Sequence, residues 1–204
     1  MTPQEIKLAL THLKRDKGLA KVIAKHEKPA FNERNSYTSL VSAIIYQQLA
    51  GKAAATIHKR FLALYPGKKH PKPEDVLNTS EAKLRSAGLS GQKLSYLKDL
   101  SLKFIDGTIQ PKKFPKMTDD EIREHRIRVK GIGRWTADMF LMFTLHRPDV
   151  LPTGDLGIQK GFQRLFKLKG LPDARKMEKL AKPWQPHRTV VSWYLWQIVD
   201  TKNK

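Results

Sequence analysis

The sequence predicts an all-α fold, and two patterns support this prediction. Apolar residues recur at helical spacing, and no segment alternates in β-branched residues as a half-buried strand would. Gly, Pro and Ser interrupt the apolar segments at short intervals, as they do at helix ends. The 204 residues suit one domain or two small lobes.

Capping residues and prolines delimit the helices of the first half. Thr2, Pro3 and Glu5 form a capping box with Pro at the first helical position. Pro29 ends a short second helix predicted over 17–25. The helix that begins at Ser36 is apolar on all sides, which predicts burial. Further helices are predicted over 52–65, over 73–77, from Ser80 to Gly88 and from Lys93 to Gly107.

The second half shows the same punctuation. Thr118 and Glu121 form another capping box, and its helix should end near Lys130 because glycine is unfavourable in a helix interior. An apolar helix then runs to Leu145 and is stopped by Pro148. The remaining predicted helices are 156–166 after an N-cap Asp155, 174–182 after Asp173, and 187–200.

The charge balance indicates a polyanionic partner. The chain has 39 Lys and Arg against 19 Asp and Glu, which gives a net charge of +20 and a pI of about 10.2. Nucleic acid is the simplest such partner. A ribosomal protein, a membrane-surface protein and a basic enzyme remain alternatives on charge alone.

The sequence also excludes some chemistry. It has no cysteine, so disulfides, thiol catalysis and a cysteine-ligated iron–sulfur cluster are excluded. No apolar run reaches the roughly 18 residues of a membrane span, so we expect no transmembrane helix. For the leading hypothesis below we expect no membrane partner. The N-terminus lacks the apolar region of a signal peptide, so we expect an intracellular protein.

The central motif is a Gly-x-Gly turn at Gly131 and Gly133, followed by a loop over 147–155 that ends on Asp155. A helix that begins after such a turn presents backbone N–H groups at its N-terminus, where they bind phosphate without reading base sequence. Lys130 and Arg134 flank this turn. Taken alone, the turn also fits an ordinary corner between two helices.

Two segments together resemble a known family. Lys-Gly-Ile-Gly-Arg-Trp-Thr-Ala at 130–137 and Leu-Pro-Thr-Gly-Asp at 151–155 resemble the helix-hairpin-helix superfamily of DNA glycosylases, and within it the DNA-3-methyladenine glycosylase II family. The resemblance extends to 43–49 and 193–196. It implies one domain over 1–204 with two helical lobes, about 36–150 and 1–35 with 151–204, and an active-site cleft between them.

The resemblance implies a monofunctional glycosylase that flips alkylated purines out of duplex DNA and hydrolyses their glycosidic bond, leaving an abasic site in base excision repair. The implied substrates are 3-methyladenine and 7-methylguanine, with 1-methyladenine, hypoxanthine and ethenoadenine as further candidates. Asp155 would stabilise the sugar cation and orient or deprotonate water. Its structural alternative is a plain N-cap. Asp138 and Asp149 are expected to be structural or exposed.

The DNA contacts implied by the resemblance centre on the hairpin. The implied phosphate clamp is Gly131 and Gly133 with Lys130, Arg134 and Thr136 beside them. A second turn at Gly91 and Lys93 is either another DNA contact or a simple turn between helices. Hairpins of this family often hold Na⁺ or K⁺ through backbone carbonyls. No other cofactor is required.

A residue must also fill the space that the flipped base leaves. In the family this wedge lies in the loop after a Gln-rich helix end, which here is Gln47-Gln48-Leu49-Ala50-Gly51. Leu49 is our candidate, although leucine at a helix end is usually a core residue. Ala50 is the next position. If Ala50 is the wedge, it fills the space poorly, and Gln47 or Gln48 shares the function.

The base pocket should be aromatic, because an alkylated purine is a cation that a π-face attracts. Trp135 and Trp196 match pocket positions of the family, and Tyr46 is a further candidate. Core packing is the alternative for each tryptophan. This chain has Met139 at a position where some relatives have tyrosine. Trp135 also occupies the position of the Schiff-base lysine of strand-cutting relatives, and an indole cannot form an imine.

Two other functions stay open, although Asp155 and the two pocket tryptophans argue against the first, and the missing lyase lysine and cysteines argue against the second. A non-catalytic helix-hairpin-helix protein would bind DNA tightly and salt-sensitively without releasing a base. A glycosylase for another damaged base is the third hypothesis. The expected partner in every case is double-stranded DNA, and for the leading hypothesis DNA with alkylated bases. We expect a monomer, as is usual in the family.

Overall fold

The computed structural model describes residues 1–32, 34–49 and 51–200. All regular secondary structure in these ranges is helical, which confirms the predicted all-α fold. Short 3₁₀ helices occupy Pro111–Lys116 and Lys182–Trp184. The α-helices are α1 Pro3–Leu13, α2 Lys17–Ile23, α3 Ser36–Tyr46, α4 Gly51–Ala63, α5 Pro73–Asn78, α6 Glu81–Ser86, α7 Gly91–Ile105, α8 Asp119–Ile127, α9 Arg134–Phe143, α10 Leu156–Leu165, α11 Ala174–Ala181 and α12 Arg188–Asp200.

The helix starts follow the capping residues, with two corrections. Both predicted capping boxes are present; the Thr118 N–H donates to Glu121 Oε2 at 2.7 Å, for example. The cap of α3 is Asn35 rather than Ser36, because the Asn35 carboxamide oxygen accepts from the N–H groups of the first turn. Helix α7 begins two residues before Lys93, since Ser90 caps it.

The chain forms two compact units, each with its own core. The first consists of Met1–Glu33 and Leu141–Lys204, and its core includes the buried side chains of Phe162, Trp184 and Tyr194. In it α10 packs along α12. The second segment of this unit begins at Leu141. The sequence predicted the corresponding boundary between the two lobes at about residue 150.

The second unit is Arg34–Phe140. Helix α3 packs on α4 and α7 and contributes Leu40 and Ile44, which are fully buried as its apolar sequence predicted. Helix α7 also packs on α5, so it is the central helix of this unit. The turn between α8 and α9 belongs entirely to this unit.

In the part of the chain that the structure describes, no helix combines the length and apolar character that crossing a membrane would require.

Candidate active site

The turn between α8 and α9 adopts its shape because Gly131 is glycine. Its φ is +77°, a left-handed conformation that residues with a Cβ rarely adopt. A Cβ at Gly131 would also overlap the ring of Tyr96 on α7. The Ile132 N–H closes the turn by donating to Val129 O at 3.1 Å. Gly131 therefore meets a conformational and a steric requirement at once.

Gly133 serves a different purpose. It is exposed, and no atom lies within 4 Å of where its Cβ would be. Its carbonyl accepts from the Ala137 N–H at 3.0 Å, so Gly133 is the N-cap of α9. The N-terminus of α9 thus opens to solvent with Lys130 and Arg134 exposed beside it. This geometry suits an anion such as phosphate.

An ion pair joins the two helices of the hairpin. Arg123 Nε on α8 donates to Asp138 Oδ1 on α9 at 2.8 Å, and the Asp138 side chain is only 5% exposed. Burial raises the pKa of Asp138 above its ordinary value, and Arg123 opposes this rise. Arg123 also pairs with Asp120 at 2.7 Å. Asp138 is therefore structural, as expected.

The loop that leads to Asp155 is fixed to the first turns of α12. Arg188 binds Asp149 through two bonds of 2.8 Å, from Nε to Oδ1 and from Nη2 to Oδ2. Thr189 Oγ1 accepts from the Val150 N–H at 3.0 Å. Such a two-point guanidinium–carboxylate contact fixes orientation as well as distance. Asp149 thus holds the loop in place.

Asp155 itself is the N-cap of α10 and has a second contact beyond that role. Its Oδ1 atom accepts from the Ile158 N–H at 2.8 Å and from Trp196 Nε1 on α12 at 2.9 Å. The side chain is half-buried. A Cβ at Gly157 would lie 2.7 Å from Trp196 Cδ1, so glycine permits the indole to approach. Two donors therefore orient this carboxylate.

The predicted pocket aromatics lie in both units. Trp135 is 49% exposed, which excludes its core alternative, and Tyr46 is 42% exposed. Tyr46 contacts His58 edge-on, with ring centroids 5.9 Å apart. Trp196 is half-buried and stacks on Phe143 at 5.9 Å. Its contact with Asp155 is a feature that the sequence did not reveal.

The predicted wedge turn exposes two of its candidates. Leu49 is 39% exposed, which excludes the core alternative, and Gln48 is exposed with a φ of +55°. Ala50 lies outside the described residues. Gln47 is half-buried, and its Nε2 atom donates to Gly131 O at 2.7 Å. Gln47 therefore connects the wedge turn to the hairpin, and Gln48 and Leu49 form its exposed tip.

Two of the predicted DNA contacts, Lys93 and Thr136, have different surroundings from those expected. The Lys93 ammonium donates to Ile45 O at 2.6 Å, so it caps the end of α3, and burial lowers its pKa. Gly91 is exposed at the start of α7. Thr136 is 4% exposed, because its side chain faces into the unit. A contact of Thr136 with phosphate would therefore depend on its backbone N–H.

The fold and the hairpin define a class of DNA repair protein. Residues 41–186 match the profile of the HhH-GPD superfamily of base excision DNA repair proteins. The chain belongs to this family.

Relatives with curated names and solved structures agree with this membership. The chain is 33% identical to DNA-3-methyladenine glycosylase 1 of Schizosaccharomyces pombe over 89% of this chain and 80% of that protein. A structure of the S. pombe 3-methyladenine DNA glycosylase in complex with abasic DNA superposes with a TM-score of 0.82 and 31% identity, covering 93% and 95% of the two chains. The DNA-3-methyladenine glycosidase of Bacillus halodurans has the same TM-score at 35% identity, covering 92% and 86%.

Proposed function

We propose that this protein is a DNA-3-methyladenine glycosylase of the type II class, which excises 3-methyladenine and 7-methylguanine in base excision repair. The observation that carries the proposal is the Asp155 carboxylate, which the Ile158 and Trp196 N–H groups orient at the end of a fixed loop. The relatives described above are named for the same activity. The hairpin supplies an open helix N-terminus for the DNA backbone.

The reaction is hydrolysis of the bond between C1′ and the base nitrogen. The bonding electrons leave with the base, so the alkylated purine departs neutral and positive charge develops on the sugar. Asp155 stabilises this charge, and water adds its oxygen to C1′ and loses a proton. The substrate base is already cationic, so it is a good leaving group. No cofactor takes part in this scheme, and a cation at the hairpin carbonyls stays a prediction.

The base has to leave the helical stack before this reaction. Trp135 and Tyr46 are exposed aromatic rings whose faces attract a cationic purine. The exposed tip at Gln48 and Leu49 is suited to fill the vacated space. The clamp, the wedge, the aromatic rings and the carboxylate are the groups that base excision requires, and their presence supports the proposal.

The proposed enzyme leaves the DNA strand uncut. Cleavage by a glycosylase of this superfamily would need an amine that forms an imine with C1′. Trp135 occupies the position of that amine, two residues after Gly133, and an indole nitrogen cannot form an imine. The product is therefore an intact strand with an abasic site.

A duplex with one 7-methylguanine tests this proposal. After incubation, alkali should break the labelled strand at the modified site, and the strand should stay intact without alkali. Cleavage without alkali would contradict the monofunctional assignment. DNA binding without any alkali-labile site would favour a non-catalytic binding protein or a glycosylase for another base.

Trp196 provides a second prediction. The change Trp196→Phe keeps an aromatic ring against Phe143 but removes the N–H donor to Asp155. A less well oriented carboxylate should lower the single-turnover rate of 7-methylguanine release about tenfold, which corresponds to roughly 1.4 kcal/mol. DNA affinity should not change. Trp193→Phe, on the same helix, is the matched control and should keep the wild-type rate. An unchanged rate for Trp196→Phe would contradict this role of Trp196.

A further inference from the structure

One face of α7 supports the hairpin turn. Tyr96, Asp99 and Lys103 follow one another at intervals of three and four residues, which places them on the same side of the helix. The Tyr96 ring lies beneath the glycine of the turn. Asp99 Oδ2 accepts from the Lys130 N–H at 2.9 Å, and the Lys103 ammonium donates to Arg128 O. Three successive contacts thus fix the backbone of the turn.

The carboxylate in this set is unexpected on electrostatic grounds. The protein has a net charge of +20, and Lys130 and Arg128 are exposed at the turn. A negative charge in such a place repels the phosphates that the turn is to bind. Asp99 is 15% exposed and also accepts from Lys103 Nζ at 2.8 Å. It is therefore a partly buried acceptor for two donors.

We infer that Asp99 is a positioning residue for DNA binding. It directs the Lys130 N–H inward and so fixes the turn in the conformation that opens the N-terminus of α9 to solvent. The DNA affinity gained from a preorganised turn exceeds the affinity lost through repulsion between the Asp99 carboxylate and the phosphates. This inference rests on the DNA binding in the proposed function and is independent of base excision.

The two effects of Asp99 predict opposite results for Asp99→Ala. If the carboxylate acted only through its charge, its removal would tighten DNA binding. If it positions the turn, its removal should weaken binding to a duplex with a tetrahydrofuran abasic analogue about threefold to tenfold. Glu124→Gln, an exposed position on α8, makes the same change in charge and should keep or tighten the affinity.

The salt dependence and a conservative variant separate positioning from general destabilisation. A displaced turn that loses one phosphate contact should lower the slope of log K against log salt by about 0.9. Asp99→Asn keeps an oxygen acceptor for the Lys130 N–H without the charge, so it should restore the wild-type affinity and slope.

Amide exchange at Lys130 gives a readout that does not depend on DNA. In the folded wild-type protein this amide should be protected by its bond to Asp99, and in Asp99→Ala it should exchange faster than in the wild type. If Asp99→Ala fails to fold, the test is the exchange of the Lys130 amide in the wild type and in Asp99→Asn, which should be protected in both. Free exchange of the wild-type amide, or an Asp99→Ala variant that binds DNA as tightly as Glu124→Gln, would overturn the inference.

Discussion

Replacing Asp155 by asparagine is expected to slow the release of alkylated purines about 100- to 1,000-fold, the typical effect of losing one group that stabilises transition-state charge. Asparagine is as good an N-cap as aspartate, and its oxygen still accepts from the Ile158 and Trp196 N–H groups. The fold and the DNA affinity should therefore persist. Single-turnover release of 7-methylguanine, with binding measured separately, checks the effect on the chemical step.

Asp173→Asn is the matched control for this substitution. Asp173 caps α11 in the same unit by accepting from the Lys176 N–H at 2.7 Å. Like Asp155→Asn, the substitution Asp173→Asn replaces a charged cap by a neutral one, but at a helix that does not follow the loop over 147–155. Its base release should equal that of the wild type. Equal losses in the two variants would mean that the loss of a charge at any helix N-terminus of this unit, rather than a role of Asp155 in the reaction, explains the effect.

The change Gly131→Ala should have the largest effect on stability. The added methyl group overlaps the Tyr96 ring, and alanine is strained at a φ of +77°. The strain costs about 1–2 kcal/mol and the overpacking about 1–3 kcal/mol, so the free energy of unfolding should fall by roughly 2–5 kcal/mol. For a chain of this size that lowers Tm by roughly 4–20 °C, which thermal unfolding would measure.

The neighbouring change Gly133→Ala separates folding from DNA contact. Its added methyl group meets no atom within 4 Å, so Tm should fall by much less than in Gly131→Ala. The methyl group would nevertheless stand at the open end of α9, where phosphate has to approach, so DNA binding should weaken. Equal stability losses in the two variants would contradict the distinct roles of these glycines.

Local signals in the sequence predicted much of the fold because capping is a local interaction. The Thr118 and Glu121 box and the N-cap position of Asp155 involve partners three residues apart, so their spacing appears in the sequence. The choice between Ser36 and Asn35 could not be made in this way. Both are good caps, and only the side-chain bonds of Asn35 decide between them.

Contacts between distant segments were the part that the sequence could not supply. The bond from Gln47 to Gly131 spans 84 residues, and the bond from Lys130 to Asp99 spans 31. No periodicity relates such pairs. Lys93 shows a related difficulty. The sequence left a DNA contact and a simple turn between helices equally open there, and only the structure shows that its ammonium donates to Ile45 O at the end of α3. The family resemblance supplied Asp155, and the structure added the indole that orients it.

Chromatography of the bases released from methylated DNA tests the central claim most directly. The wild-type protein and Asp155→Asn should be compared at equal DNA binding. The proposed mechanism predicts 3-methyladenine and 7-methylguanine from the wild type and almost none from the variant. Equal release by both proteins would contradict the role of Asp155, and release by neither would contradict the function itself.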